Sequence, residues 1–392
     1  MSVTVPRPVQ TVESVELLRV SMPFSAARST EAANESIDEF NASSQTFTTM
    51  ESLMVKVTTS EGLVGWGEAF GHKVNDVTWM ALESLVAPFY LGKPADPETL
   101  HDQAQRAFHA FGRTGPVLYA MSALNIALWD IKAQLAGKPL RKLLNPAARD
   151  SIGAYASLVH YGEDPAEVTR QISRAQQLGF GAFKLHESSY PAIAAARAQA
   201  GEAAPLMVDV NCRWNEADAA ESINSFLPLN LRWLEEPLWP PDDVEAHARL
   251  ALRGIPLAGG ENASGTEALD AALTARALDV AQPSIGKIGG FSSMLGYLHP
   301  HPTALVVPHC FYYGPAQVAT AQFIAAMDDE AQLEVPLLVW EEHLHPLHAA
   351  RPVIELPDTP GLGFAPDMDV LERHRVDRLV LVASQPAANA RI

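Results

Sequence analysis

The sequence predicts an α/β protein: a parallel β/α barrel that follows a small antiparallel sheet and a helical stretch. Three observations carry this. After Ser151, short apolar segments alternate with amphipathic ones, the pattern of a parallel sheet with crossover helices. The apolar segments end in polar residues at a steady interval. Before residue 145 the pattern is different, with long alternating strands first and helices afterwards.

At the N-terminal end, VESVELLRV, SLMVKVTT and LVGWGEAF are rich in β-branched and aromatic residues, and Glu61-Gly62 makes a turn between the last two. Phe24 to Gln45, between the first two, is polar and too long for an ordinary connection, and reads equally as a lid or as a mobile insertion with no role. From Val77 to Leu144 the pattern is helical. Asp96-Pro97-Glu98-Thr99-Leu100 reads as a helix start, and MSALNIALWDIKAQLAG stops at Gly137. The run Pro116 to Gly137 contains Asn125, Asp130, Lys132 and Gln134, so it reads as a buried helix and not as a membrane span.

The barrel strands are then AYASLV, GAFKLH, PLMVDVN, LRWLEE, IPLAGGE, LDVAQPS, ALVVPH and, last, LLVWEE. From Lys184 to Asp209 is 25 residues, to Glu235 a further 26, to Glu261 26, to Ser284 23 and to His309 25. Each step fits one compact strand-helix unit, and eight strands favour a closed barrel over an open doubly wound sheet. No G-x-G-x-x-G turn follows the first strand, which counts against a dinucleotide fold.

Composition limits the function classes. With 392 residues, 47% hydrophobic and 19% charged, the chain can bury a large core and is too apolar for disorder. A formal net charge of -18 repels nucleic acid and anionic membranes, so neither is expected as a partner. Cys212 and Cys310 form no disulfide framework, and the N-terminus lacks a basic start followed by an apolar run. These features predict a cytoplasmic location.

In β/α barrels the active site is built at the C-terminal ends of the strands. Three successive strands end in Asp209, Glu235 and Glu261. Such a set at one mouth repels itself without a cation, and oxygen donors with room for water or substrate suit Mg²⁺. Each carboxylate alone would read as a solvated charge or a helix cap; three at consecutive strand ends do not. Glu236 is the rival of Glu235, and only one of the two can point inward. Lys184 and His186 share a face at i and i+2, an arrangement suited to proton abstraction. Lys184 would neutralise a substrate carboxylate and help keep His186 an unprotonated base. His309 ends the seventh strand, across the mouth from the second.

In this order the motifs resemble the enolase superfamily, within the mandelate racemase and muconate lactonizing enzyme group. TSEGLVGWGEA is similar to its N-terminal strand pair, and ALNIALWDIKAQLAGKPLRKLL to a family signature. VDVNCRW, WLEEP and GGEN resemble its three metal-bearing strand ends; KIGG and PGLGF also fit. The resemblance covers nearly the whole chain. It implies a modified TIM barrel, (β/α)7β, under an α+β capping domain formed from the N-terminal region and the C-terminal segment. The limits are 1–145 for the capping part, 146–346 for the barrel and 347–392 for the returning segment. It implies Asp209, Glu235 and Glu261 as Mg²⁺ ligands, Lys184 and His186 at the K-x-K position, and His309 as the opposing base. It also implies Glu341 on the last strand as a hydrogen-bond partner of the substrate carboxylate, with Glu342 as its rival. Loop residues from Ser21 to Thr48 and near His72 would shape specificity, and members are usually homo-oligomers. Two departures stand out. His186 replaces the second Lys of K-x-K, and QPSIGKIGG puts Ser284 where racemase-like members carry an Asp that supports the strand-seven His.

The predicted chemistry is removal of the proton α to a carboxylate, giving an enediolate. Strand-end polarity, including Asn211, Ser284 and Tyr312 as substrate contacts with His72, points to an acid sugar. Dehydration to a 2-keto-3-deoxy acid ranks first. Cycloisomerisation of an acid-sugar lactone or anhydro sugar acid ranks second, and racemisation or epimerisation third. A barrel that binds an acid without turnover ranks below them, because both the metal carboxylates and the bases are present.

Overall fold

A computed structural model describes residues 9–29, 48–298, 305–327 and 331–383. The long polar connection, read as a lid or a role-less insertion, falls largely within 30–47 and so lies outside the described residues.

The N-terminal strands are β1 (Val12–Ser25), β2 (Thr49–Thr59) and β3 (Val64–Ala69), paired antiparallel with Leu17 opposite Val55 and Val55 opposite Gly67. Alternate residues such as Val15, Leu17, Val55 and Val57 are buried against the helix Gly115–Leu135, which is itself apolar nearly all round. That helix gives way at Gly137, whose φ of +65° a side chain would resist. Asp96 caps the helix Pro97–Ala107 by accepting from the Thr99 amide at 2.7 Å.

Eight parallel strands follow: β4 (Ser151–Ser157), β5 (Phe183–Leu185), β6 (Leu206–Asp209), β7 (Trp233–Glu235), β8 (Leu257–Gly259), β9 (Val280–Ala281), β10 (Leu305–Val306) and β11 (Leu333–Pro336). They pair in chain order from β4 to β10, and β11 lies beside β4, so the first and eighth strands adjoin. The order is that of a β/α barrel. β10 and β11 meet through the Cys310 amide, which donates to Glu334 Oε2 at 2.8 Å.

The eighth strand differs from expectation. LLVWEE supplies only β12 (Val339–Trp340), which pairs antiparallel with the end of β1. The barrel position belongs to LEVP. Pro336 cannot donate to a ladder, and its terminal position in the strand tolerates that. Beyond it, β13 (Val353–Glu355) pairs with β4, and β14 (Arg375–Val382) returns to the first sheet and pairs with β1, Leu379 opposite Leu17. Among the described residues no helix is long and apolar enough to cross a membrane.

Candidate active site

The barrel interior explains where the chemistry sits. Tyr155, Ala182, Met207, Trp233, Ala258, Val280 and Val307 form one buried apolar layer, a residue within or directly beside each of seven strands. Side chains two residues further on share the same face. That step gives Ser157, Lys184, Asp209, Glu235, Gly260, Gln282 and His309. An apolar floor is thus covered by a polar layer, and Glu334 of β11 joins it, fully buried.

Asp209, Glu235 and Glu261 each offer an oxygen, all within 4.8 Å of one another. Glu261 follows Gly260, whose φ of +124° turns the chain after β8 and brings the next side chain to the group. Glu235 and not Glu236 faces this cluster: Glu235 Oε1 takes Lys184 Nζ at 3.1 Å, and its Oε2 takes Trp233 Nε1 at 3.1 Å and Gln282 Nε2 at 2.8 Å. Glu236 turns away to Asn262 Nδ2 at 2.7 Å and the Cys212 thiol at 3.3 Å. Behind it, Lys287 Nζ donates to Asn262 Oδ1 at 2.8 Å.

Lys184 is the central cation. Its Nζ lies 3.3 Å from Asp209, 3.1 Å from Glu235 and 2.7 Å from Glu334. Burial alone would lower its pKa; the Glu235, Glu334 and Asp209 charges override that and push it well above the ordinary value. Burial likewise opposes charge on Asp209, but Lys184 and His186 hold it below the usual carboxylate range. Glu235 goes the other way: burial, with Asp209, Glu334 and Glu261 close by, raises it well above normal despite Lys184. The cluster therefore carries more negative charge than Lys184 alone compensates. Three oxygen donors with that surplus, two of them on buried residues, fit a hard divalent cation.

The two histidines flank this triad. His186 Nδ1 donates to the Leu158 carbonyl, which turns Nε2 toward the triad, 3.5 Å from Asp209 Oδ2. His309 Nε2 lies 2.9 Å from Glu261 Oε2. Burial disfavours its charged form, but Glu261 and Glu334 outweigh that and raise its pKa. His309 Nδ1 is buried with no hydrogen-bond partner among the described residues. Ser284, where an Asp would stand in racemase-like members, instead shares a short hydrogen bond with Tyr312 Oη.

The remaining sequence-derived residues divide. Ser284 and Tyr312 are buried together. Asn211 lies in the turn just beyond β6, with φ +48° and its amide donating to Asp209 Oδ1 at 3.0 Å. His72 opens a short 3-10 turn, and its side chain lies outside the described residues. Glu341 is corrected: it is exposed, beyond the barrel strands, because the eighth strand ends at Pro336. Its neighbour Glu342 pairs with Arg373 and with His374 at 2.7 Å, equally away from the mouth. Glu334 occupies the interior place instead. Its Oε1 takes Ser157 Oγ and Lys184 Nζ, each at 2.7 Å, and Lys184 and His309 hold it ionised against the cost of burial. Glu334 and Gln282 are the residues that sequence reasoning missed. The signal was present: Glu334 follows His309 by 25 residues, the barrel interval, whereas Glu341 follows it by 32.

A second group, His160, Glu163 and Glu187, lies just outside the mouth. Its carboxylates are committed to backbone amides: Glu187 accepts from Tyr161 and Glu163, and Glu163 from Ser188 and Ser189. It braces the loop after β4, whose Leu158 carbonyl orients His186.

Comparison with known proteins fits this geometry. A family profile described as "Enolase C-terminal domain-like" matches residues 167–370. The profile "Mandelate racemase / muconate lactonizing enzyme, N-terminal domain" matches residues 27–145. The chain belongs to the mandelate racemase/muconate lactonizing enzyme group of the enolase superfamily. Among its relatives, D-galactarolactone cycloisomerase of Agrobacterium fabrum is 30% identical over 364 residues, 86% of this chain and 94% of that one. L-talarate/galactarate dehydratase of Salmonella typhimurium is 28% identical over 80% of this chain and 79% of that one. Among solved structures, L-talarate dehydratase of a Polaromonas species, complexed with Mg and L-glucarate, superposes with a TM-score of 0.78. It is 25% identical and covers 96% of this chain and all of that one (100%).

Proposed function

We propose that this enolase-superfamily enzyme uses Mg²⁺ to remove the proton α to the carboxylate of an acid sugar, and that it completes the reaction as a dehydratase giving a 2-keto-3-deoxy acid. The observation that carries the reading is the polar layer over the barrel floor. It sets a carboxylate triad between two histidines, with Lys184 beside the triad.

Asp209, Glu235 and Glu261 would hold the ion, whose charge offsets the negative charge that develops on the substrate carboxylate. Lys184 adds a fixed positive charge there, and Glu334 and Gln282 keep Lys184 and Glu235 in place. His186, with its Nδ1 proton committed to Leu158, takes the α-proton on Nε2. His309, charged beside Glu261, gives a proton to the departing β-hydroxyl. A relative that is 28% identical is a sugar-acid dehydratase, and a dehydratase structure similar to this one holds Mg and L-glucarate, which supports both the ion and the substrate class.

Cycloisomerisation is the second reading. A relative that is 30% identical is a lactone cycloisomerase, and His309 Nδ1 lacks the acidic partner of a two-base racemase. One experiment separates the readings. The protein and Mg²⁺ are incubated in D₂O with a library of acid sugars, lactones and anhydro acids, and followed by proton NMR. A keto-acid product marks dehydration, and a ring isomer marks cycloisomerisation. Mg²⁺-dependent loss of an α-proton signal should vanish in His186→Asn. Absence of exchange with every member would reject the acid-sugar reading.

A further inference from the structure

The helix Pro315–Ala326 begins six residues after His309, and its own N-cap residue, Gly314, makes no side-chain cap. The first amides of a helix need acceptors, and a buried start without one is costly. The acceptor comes from the other domain. Glu68 Oε2, on β3, takes the Ala316 amide at 2.8 Å, while its Oε1 pairs with Ser52 Oγ on β2. Glu68 is only 2% exposed, and a Cβ on Gly314 would stand 2.7 Å from its Oε2. The catalytic reading uses none of these groups.

The strand that carries Glu68 is itself fixed. Gly65 and Gly67 face the helix Gly115–Leu135 so closely that an added Cβ would meet the Ala127 and Ala123 carbonyl oxygens at 2.1 and 1.9 Å. Trp66 and Glu68, on the opposite face, therefore reach outward to the barrel side. The Trp66 amide donates to Asp130 Oδ2 at 3.0 Å, which sets the register along the helix. A second tie runs parallel to the first, with Tyr313 Oη donating to the Val20 carbonyl of β1 at 2.5 Å.

We propose that Glu68 is a positioning residue that acts across the domain boundary, capping the helix Pro315–Ala326 and thereby setting the Cys310–Gly314 loop and the His309 strand end. The cap rests on geometry alone; only its consequence for catalysis rests on the proposed role of His309.

The latch is also sensitive to pH. Burial raises the Glu68 pKa to about 7, against the opposing pull of Ser52 and the Ala316 amide. The titratable groups around it, Cys310, Tyr312 and Tyr313, are all pushed up by burial and keep their protons. The neutral acid still accepts from both neighbours, Oε1 from Ser52 Oγ and the carbonyl oxygen Oε2 from the Ala316 amide. Opening exposes Glu68 to water, where it ionises at its ordinary value. The closed form therefore holds the proton more tightly, and closure weakens as pH rises toward 8.

Amide hydrogen exchange on the full-length protein tests this and needs no substrate. In the wild type, after correction for intrinsic rates, opening of the 310–318 segment should rise about 10-fold from pH 6 to pH 8. In Glu68→Gln, which keeps the neutral form in the open state as well, the rise should disappear and protection at pH 6 should exceed that of the wild type, by about 30-fold. In Glu68→Ala the segment should exchange faster at both pH values, while helix Glu216–Phe226 should not change. An unaltered segment in Glu68→Ala would overturn the cap, and a flat wild-type profile or the same rise in Glu68→Gln would overturn its pH dependence. Failure of the acid-sugar reading would leave these outcomes untouched.

Discussion

Glu334 shows how one side chain can be hidden in a sequence and plain in the fold. It lies between Leu333 and Val335, two apolar neighbours that point away from the interior, and next to a proline that disguises the strand. Lys184, Asp209 and Glu235 were legible because they recur at a steady interval near strand ends, and the i, i+2 step placed His186 with Lys184. The contrast between the two glutamates is testable. Glu334→Gln removes a charge that holds Lys184 at 2.7 Å, and turnover should fall about 100-fold or more. Glu341→Gln changes an exposed residue outside the barrel and should leave turnover within about 2-fold. Steady-state rates on the substrate found by NMR check both. A different pair of residues sets the acid limit. Burial lowers the pKa of His345 to about 4, its Nε2 proton going to the Tyr313 carbonyl at 2.7 Å. Burial also depresses His348, helped by His345 and His343. A depressed histidine is neutral when folded, so the unfolded chain binds the extra proton. That stability is present above pH 6.5 and drains away as pH falls toward 4, by about 3 kcal/mol for His345. Urea midpoints across this window should show it. In His345→Gln, an amide that can still donate to Tyr313, the acid slope should shrink by about one proton.

Among elements, β3 has the most concentrated sequence constraint. GWGEA puts glycines on one face and Trp66 and Glu68 on the other, and the structure gives each face a different neighbour. Alternation made the strand legible; nothing in the sequence said that the small face meets a helix backbone. Gly67→Ala would place a methyl 1.9 Å from the Ala123 carbonyl oxygen, and neither partner is a flexible side-chain end. The strand or the helix must shift, at about 1–3 kcal/mol or more. A lowered thermal midpoint would record the loss, and faster exchange at 310–318 would follow if the shift reaches Glu68. The eighth barrel strand is the opposite case. LLVW is more apolar than LEVP, so strength of pattern favoured the wrong segment, while the interval from His309 favoured the right one. Position in a repeating architecture was the better guide than local hydrophobicity, because burial in the barrel depends on register and not on the apolar content of a single strand.

At the scale of the whole molecule, the fold gathers negative charge in a chain already at -18. Asp209, Glu235 and Glu334 are buried in one layer with Lys184 as their shared cation, and Glu261 joins them from the turn after β8, so the barrel is assembled against its own electrostatics. A ligand that binds only the folded state stabilises it by mass action, about 2.7 kcal/mol at 100 times its Kd. For a chain of 392 residues the unfolding entropy is large, and that free energy corresponds to a rise of about 3 °C in the thermal midpoint. Mg²⁺ added to chelator-treated protein should produce such a rise, and Na⁺ at equal ionic strength should not. Glu235→Gln separates the site from general screening. It removes one of three oxygen anions and also the most disfavoured charge of the group, since burial and its acidic neighbours already raise the Glu235 pKa. The metal-free variant should therefore melt no lower than the metal-free wild type, yet lose the response to Mg²⁺. If the wild type failed to respond, or the variant responded equally, the triad would be a structural cluster and the proposed metal chemistry would fall with it.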